Sequence, residues 1–449
     1  MKKIIETIKN IWRIEDLRTR ILITLLFVAI YRFGSFIVLP GIDPGRLAKL
    51  QEQTSEGLMS LLNMFSGGAF SNASIFALGI MPYISASIVI QLLAIAVPYF
   101  QKMQREGESG RRKINQYTRW LTIAILLFQA PTYLINLKAQ TAGSGAFLVG
   151  DGFWFMFSST IILAAGSMFV LWLGERITDK GIGNGVSLII MIGIIARMPI
   201  AFGQEFVTAL SGAEGGGLIK FLFEIIALLF VMALAIMLVK ATRKVPVQYA
   251  KRIEGNRAVG GVRQYIPVKL FAANVMPIIF AQAIMFIPLT LAQTVSKDGN
   301  SWVMSQFLDH TSILYNAVFV ILIVAFTYFY TAITLNPVQM AEDMKRNNGF
   351  IPGIKPGKPT ADYLDMVMTR ITLPGSLFIA LIAIMPAFAG MFGVKQEFAQ
   401  FFGGTSLLIL VGVVLDTLQQ IESHLLVRHY DGLLNSGHVR TRSTKVAAY

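Results

Sequence analysis

Few ionisable side chains lie inside the apolar stretches, among them Arg32, Arg197, Glu224 and Asp416. A charge in hydrocarbon is costly and, where it persists, marks a pathway or a structural partner. Ion-coupled transport needs a cluster of such groups at the membrane midplane. These four are scattered, with Arg197 and Glu224 near the outer ends of their segments and Asp416 in the inner half of the last. Arg32 reads as a structural anchor and Asp416 as a group capped or paired locally. "GIGNG" (181–185) is glycine-rich like a phosphate-binding loop. No strand precedes it, so a tight turn opening a helix is the better reading. HExxH, Walker and GxSxG patterns are absent, and the lack of Cys excludes disulfides and thiolate metal sites. No enzymatic centre, metal or cofactor is expected.

The densest polar chemistry lies in 240–270. Lys240, Arg243, Lys244, Lys251, Arg252, Arg257, Arg263 and Lys269 face a single acid there, Glu254. "KVPVQYAKR" and "GVRQYIPVK" alternate as a two-stranded ribbon with "IEGNRAV" as its turn. Such a ribbon can dock an acidic protein surface or RNA phosphates. A second segment, 335–370, contains "RNNGFIPGIKPGKPTADYLDMVMTR". Its Gly and Pro content reads as a shaped, non-helical loop.

The elements that must hold these groups are membrane helices. Of 449 residues, 54% are hydrophobic and 14% charged, and mean hydropathy is +0.61. A bilayer core takes about 20 apolar residues per helix. Ten runs qualify: 21–40, 75–97, 118–137, 153–174, 184–201, 218–240, 271–294, 312–334, 371–391 and 404–425. The fold class is therefore an all-α polytopic membrane protein with ten transmembrane helices. Of 39 Lys and Arg, 31 fall in the termini and alternate loops, which places both termini and the two long loops in the cytoplasm. The charged start, "MKKIIETIKNIWRIEDLRTR", does not read as a cleavable signal peptide. "LMSLLNMFSGGAF" (58–70) is apolar but too short to span, so it is expected to be a short re-entrant helix sheltered by protein.

Ten segments divide into two fives. Met81, Pro82, Ile84 and Ala86 of the second match Met276, Pro277, Ile279 and Ala281 of the seventh. Gly185, Ser187, Leu188, Ile190 and Gly193 of the fifth match Gly404, Ser406, Leu407, Ile409 and Gly412 of the tenth. Five per half makes the halves, 1–213 and 214–449, inverted and pseudo-symmetric. The matched isoleucines Ile84, Ile190, Ile279 and Ile409 then meet near the midplane, and Ile80 lies one turn from Ile84. A ring of β-branched apolar side chains is stiff and dewets a narrow constriction. Gly79 and Pro82 are expected to weaken the second helix and let it bend.

"MFSGGAFSNASIFALGIMPYISASI", "EGESGRRKINQYTR", "LGERITDKGIGNG", "YAKR", "GFIPGIKPG" and "FGGTSLLI" together resemble the SecY family. Its members are channel-forming subunits of the bacterial general secretion translocon. The resemblance runs through essentially the whole chain and implies a protein-conducting channel in the cytoplasmic (inner) membrane. By resemblance, Ile80, Ile84, Ile190, Ile279 and Ile409 form the pore ring, with Val186 as a sixth member. The plug is the segment from Leu58 through Leu61, Leu62, Met64, Phe65, Gly67 and Gly68 to Phe70. A lateral gate contains Ser87, Gln91, Gln129, Asn274, Gln282 and Ile287. Arg243, Lys244, Lys251, Arg252 and Lys355 fall where the family docks the SecA ATPase or the ribosome. SecE and SecG, signal peptides, nascent secretory or membrane proteins and the lipid bilayer are the other implied partners. Two positions depart from the family pattern. The usual arginine of "PGIRPG" is Lys355, which keeps the charge but not the planar fork. Phe271 occupies the usual asparagine position, with Asn274 about one turn on. The competing function is an inverted-repeat secondary transporter, which the missing midplane charge cluster disfavours.

Overall fold

The computed structural model describes residues 12, 14–43, 47, 63, 66–140, 147, 152–211, 217–249, 252–254, 257–259, 263–271, 275–282, 284–285 and 312–435. Helix α1 is Glu15–Gly34, with Glu15 and Asp16 in its first turn, where the helix dipole favours acids. It ends earlier than hydropathy suggests. After Gly34 the chain turns and Val38 bridges to Ser74. Gly34 packs so tightly on the Phe76 ring that a Cβ there would enter the ring.

Helix α2 (Met81–Ala96) begins six residues later than its apolar run. Residues 75–80 form turns, and Gly79 has φ +51°, a conformation only glycine adopts easily. Pro82 sits in the first helical turn, where its missing N–H costs nothing. The bend assigned to Gly79 and Pro82 is therefore a helix start. The bend lies at the other end, where Val97 is extended ahead of Pro98. There α3 (Pro98–Arg105) departs at 101° to α2.

Helices α4 (Glu108–Gln140), α5 (Phe153–Lys180), α6 (Gly185–Ser211) and α7 (Gly217–Lys240) follow. The second half has α8 (Ile313–Thr334), α9 (Pro337–Arg346), α10 (Lys358–Met391), α11 (Gln396–Ala399) and α12 (Gly404–Asn435). Among the described residues seven helices are long and apolar enough to cross a membrane, or eight if the α2–α3 pair is one span. Helix α1 has the length, but Glu15, Asp16, Arg18 and Arg20 occupy its first turns. The run expected at 271–294 is helical over 276–282 and 284–285, and 286–294 lie outside the described set.

One core, with Leu39, Ala73, Tyr133, Leu134 and Leu163, binds the segments after α1 and before α2 to α4 and α5. A second, with Val231, Ala235, Ile278, Phe319, Ile323, Ile379 and Leu408, binds α7, α8, α10 and α12. Outward, Phe128, Ile219, Phe223 and Ile313 are bare. That distribution suits lipid, a solvent as apolar as the side chains themselves.

The basic ribbon forms, but the stretch "IEGNRAV" expected as its turn itself carries two short paired strands. β1 (Thr242–Tyr249) pairs antiparallel with β4 (Arg263–Lys269), and β2 (Arg252–Glu254) with β3 (Arg257–Val259). The segment 335–370 is not the non-helical loop its composition suggests. Asn336 caps α9 by accepting from the N–H of Val338 and Gln339, Pro337 sits in the first turn, and α10 resumes at Lys358. Between them β5 (Gly349–Phe350) adds to β1, so the two loops share one sheet, ordered β4-β1-β5. Val245, Val247, Val268, Met344, Ile351, Leu364 and Met368 form a separate small core beneath it.

The "GIGNG" segment is the expected tight turn. Gly183 takes φ +82°, and Gly185 opens α6 against α5. A Cβ at Gly185 would overlap the Gly174 carbonyl and come within 2.7 Å of the Ile177 Cβ. Gly185→Val is therefore expected to destabilise the α5–α6 pair by about 3 kcal/mol or more, beyond ordinary overpacking. A thermal melt in detergent would register this as a midpoint several degrees lower; an unchanged midpoint would contradict the close approach.

Candidate functional site

The isoleucines converge from separate elements. Ile80 caps the start of α2, and Ile84 lies one turn inside it, its N–H donating to the Ile80 carbonyl at 3.1 Å. Ile80 packs with Ala69, Leu173, Ile177 and Ile189, with Ile84 and Val186 alongside. Ile190 and Ile409 pack with Ile194, Phe398 and Phe402, again with Ile84 and Val186 alongside, and with Val275. Ile84 and Val186 thus join two clusters into one apolar body fed by both halves of the chain. Ile279, expected in the ring, is half-buried and belongs to neither cluster. From that segment Val275 approaches instead.

Of the segment expected as a helix from Leu58 to Phe70, Asn63 is helical and 66–70 is not. Residues 66–80 are a run of turns, with Gly67 at φ +64° and Gly68 at φ +91°. Two successive left-handed residues cannot continue an α-helix. Leu58, Leu61, Leu62, Met64 and Phe65 lie outside the described residues. The turn rests on the isoleucine body: Ala69 is fully buried beside Ile80, and a Cβ at Gly67 would lie 2.9 Å from the Gly193 Cα. Gly193 is three residues from Ile190 on α6, less than one helical turn away. Phe70 points elsewhere, stacking edge-on against Tyr133 in the first-half core.

Irregular backbone buried at depth needs its polar groups satisfied, and side chains from three helices do this. Tyr31 donates to the Ser66 carbonyl at 3.2 Å and Arg32 to the Gly67 carbonyl at 3.0 Å, both from α1. Tyr133 of α4 donates to the Phe70 carbonyl at 2.8 Å. Arg197 of α6 donates to Ser71 Oγ at 3.0 Å. Asn63 closes the turn from within, accepting from the Ser71 N–H at 3.1 Å. Arg32 is thus the interior anchor it was expected to be. Tyr31, Tyr133 and Asn63 were not anticipated; a tyrosine flanked by apolar residues in a span is the signal that points to them.

Of the residues assigned to a gate, Gln91 donates to Ser87 Oγ at 3.3 Å along α2. Gln129 is exposed on α4. Gln282 donates to Thr405 Oγ1 at 3.4 Å, joining the 276–282 stretch to the start of α12. Asn274 and Ile287 lie outside the described residues. Among the basic residues, Arg243, Lys244 and Lys355 are exposed. Arg252 lies on β2 and Lys251 outside the described set.

No group of three or more His, Cys, Asp or Glu that could hold a metal occurs among the described residues. What the arrangement can do physically is seal. An apolar waist offers water no hydrogen-bond partner, and the hydrogen-bonded turn lies against it.

Comparison with known proteins places the chain in a family. The family model that matches is SecY, over residues 74–418. The protein translocase subunit SecY of Streptomyces galbus is 42% identical over 433 residues, covering 94% of this chain and 98% of the relative. A solved structure of a protein-conducting channel superposes with TM-score 0.59 at 20% identity, covering 90% of this chain and 92% of that one. Sec61 in a canine ribosome–channel complex gives TM-score 0.55 at 19% identity, with 90% and 92% covered. By the extent of the family match and the identity to its members, the chain belongs to the SecY family.

Proposed function

We propose that this chain is a protein-conducting channel and not an enzyme, moving unfolded polypeptides across the bacterial cytoplasmic membrane and membrane segments sideways into it. The observation that carries the reading is the apolar body of Ile80, Ile84, Val186, Ile190 and Ile409, drawn from both halves and covered by the turn at 66–71. At rest it is the seal. With the halves 1–213 and 214–449 moved apart, it becomes a gasket around a passing chain. Ser87, Gln91, Gln129 and Gln282 supply polar contacts on the sideways route. Both termini and the basic sheet face the cytoplasm, where SecA or a ribosome delivers the substrate; SecE and SecG complete the channel. The transporter alternative lacks its polar centre. Arg32 and Arg197 hold the turn, Glu224 lies 3.8 Å from Lys220, and Asp416 accepts from Gln420.

The test is reconstitution with SecE in vesicles. A signal-bearing precursor should become protease-protected when SecA and ATP are supplied, and no protection with active SecA would end the proposal. A second prediction concerns the sheet. Reversing charge at Arg243, Lys251 and Arg252 should weaken SecA or ribosome binding at least tenfold at low salt, with the difference shrinking as salt rises. Equal affinity of the triple variant in a salt titration would remove the docking role.

A further inference from the structure

Arg197 has two contacts that belong to different halves of the molecule. Nη2 holds Ser71 Oγ at 3.0 Å, and Nη1 lies 4.0 Å from Glu397 Oε1. Glu397 is on α11, beyond α10, in the second half. Both side chains are mostly buried, so their attraction is screened less than that of a surface pair. Arg32 approaches the same turn from the first half, through Gly67. Two cations thus face one turn, and Glu397 is the carboxylate that offsets them from across the seam. Nearby, the Lys395 N–H donates to Glu205 Oε2 of α6 at 3.3 Å, so the segment carrying Glu397 is fixed to α6 in the closed arrangement.

We propose that Arg197 and Glu397 form a latch that couples separation of the halves to release of the turn. While the halves are closed, Glu397 offsets the charge of Arg197 and keeps its guanidinium aimed at Ser71. When the second half moves away, Arg197 loses that counter-charge beside Arg32, and its grip on Ser71 loosens. Arg197 and Glu397 are positioning residues in this scheme; neither needs to touch the passing chain. The proposal rests on the pore reading given above and adds a trigger to it.

The experiment uses the absence of native Cys. Ala69→Cys, at a fully buried position beside Ile80, reports release of the turn by its labelling with a membrane-impermeant maleimide. In full-length channel with SecE in vesicles, Glu397→Gln is expected to raise the labelling rate about fivefold, the scale of one partly buried ion pair. Arg197→Gln is expected to raise it about tenfold, having lost the Ser71 bond as well. The double variant should match Arg197→Gln alone, because Glu397 acts through Arg197. Arg197→Lys keeps the charge but not the fork that reaches Ser71 and Glu397 together, so its rate should fall between the parent and Arg197→Gln, and a parent-like thermal midpoint in Glu397→Gln separates the latch from a general folding defect. Labelling at the parent rate in Glu397→Gln, or multiplied effects in the double variant, overturns the latch. Ile409→Asn in the same membranes separates the two ideas: if it leaks ions while Glu397→Gln is silent, the pore reading stands and the latch falls.

Discussion

Ile409→Asn is expected to make the resting channel conduct ions and export precursors with defective signal sequences. Ile409 is buried among Ile190, Ile194, Phe398 and Phe402, with Ile84 and Val186 beside it. The side chains packed around it in that cluster are apolar. Burying an amide without partners costs about 1–3 kcal/mol on mutational scales. The cost falls on the closed state alone, because an opened waist is wet. At 1.4 kcal/mol per tenfold, the open population should rise roughly 5- to 150-fold. Planar-bilayer conductance measures this directly. Ile409→Val, which stays apolar, should conduct like the parent. Equal conductance of the asparagine and valine variants would show that this cluster is ordinary packing.

The second large effect is expected at Gly67. Its φ of +64° is a left-handed conformation, which costs an L-residue about 1–2 kcal/mol and a β-branched one more. A Cβ there would also lie 2.9 Å from the Gly193 Cα and 2.7 Å from Arg32 Nη1. Backbone cannot yield as a side-chain tip can, so about 1–3 kcal/mol of overpacking adds to the strain. Gly67→Val should therefore unseat the turn and raise resting conductance tenfold or more. The thermal midpoint should move little, because the strain is relieved once the turn leaves its seat. A quiet channel with a much lower midpoint would make the turn a structural element with no gating role.

The two halves of this picture were not equally legible. Repeat-matched positions identified Ile84, Ile190 and Ile409, because helical register fixes which side chains can meet. The basic ribbon was legible because alternation in "KVPVQYAKR" and "GVRQYIPVK" is a local property. The turn at 66–80 was not. Its shape depends on Tyr31, Arg32, Tyr133 and Arg197, up to 126 residues away in sequence, and apolar composition there mimics a helix. Ile279 was assigned by the repeat and the resemblance; from its segment it is Val275, one turn earlier, that packs on the Ile190–Ile409 cluster. Helix α9 was legible in principle. Asn336 followed by Pro337 is a helix-start signal, but Gly and Pro between 347 and 357 dominated the composition of the whole segment.

The addition of β5 to β1 has a mechanical meaning. Among the described residues two pairs join them, Gln248 with Phe350 and Tyr249 with Gly349. Below that joint the shared core clamps β1 and β4 to α9 and to the root of α10. A load applied to the ribbon therefore reaches two chain segments at once, the one rooted in α7 and the one rooted in α10. Short of breaking the joint, the ribbon works as a lever with two fulcra, and force on its tip arrives at the membrane as torque on the second half.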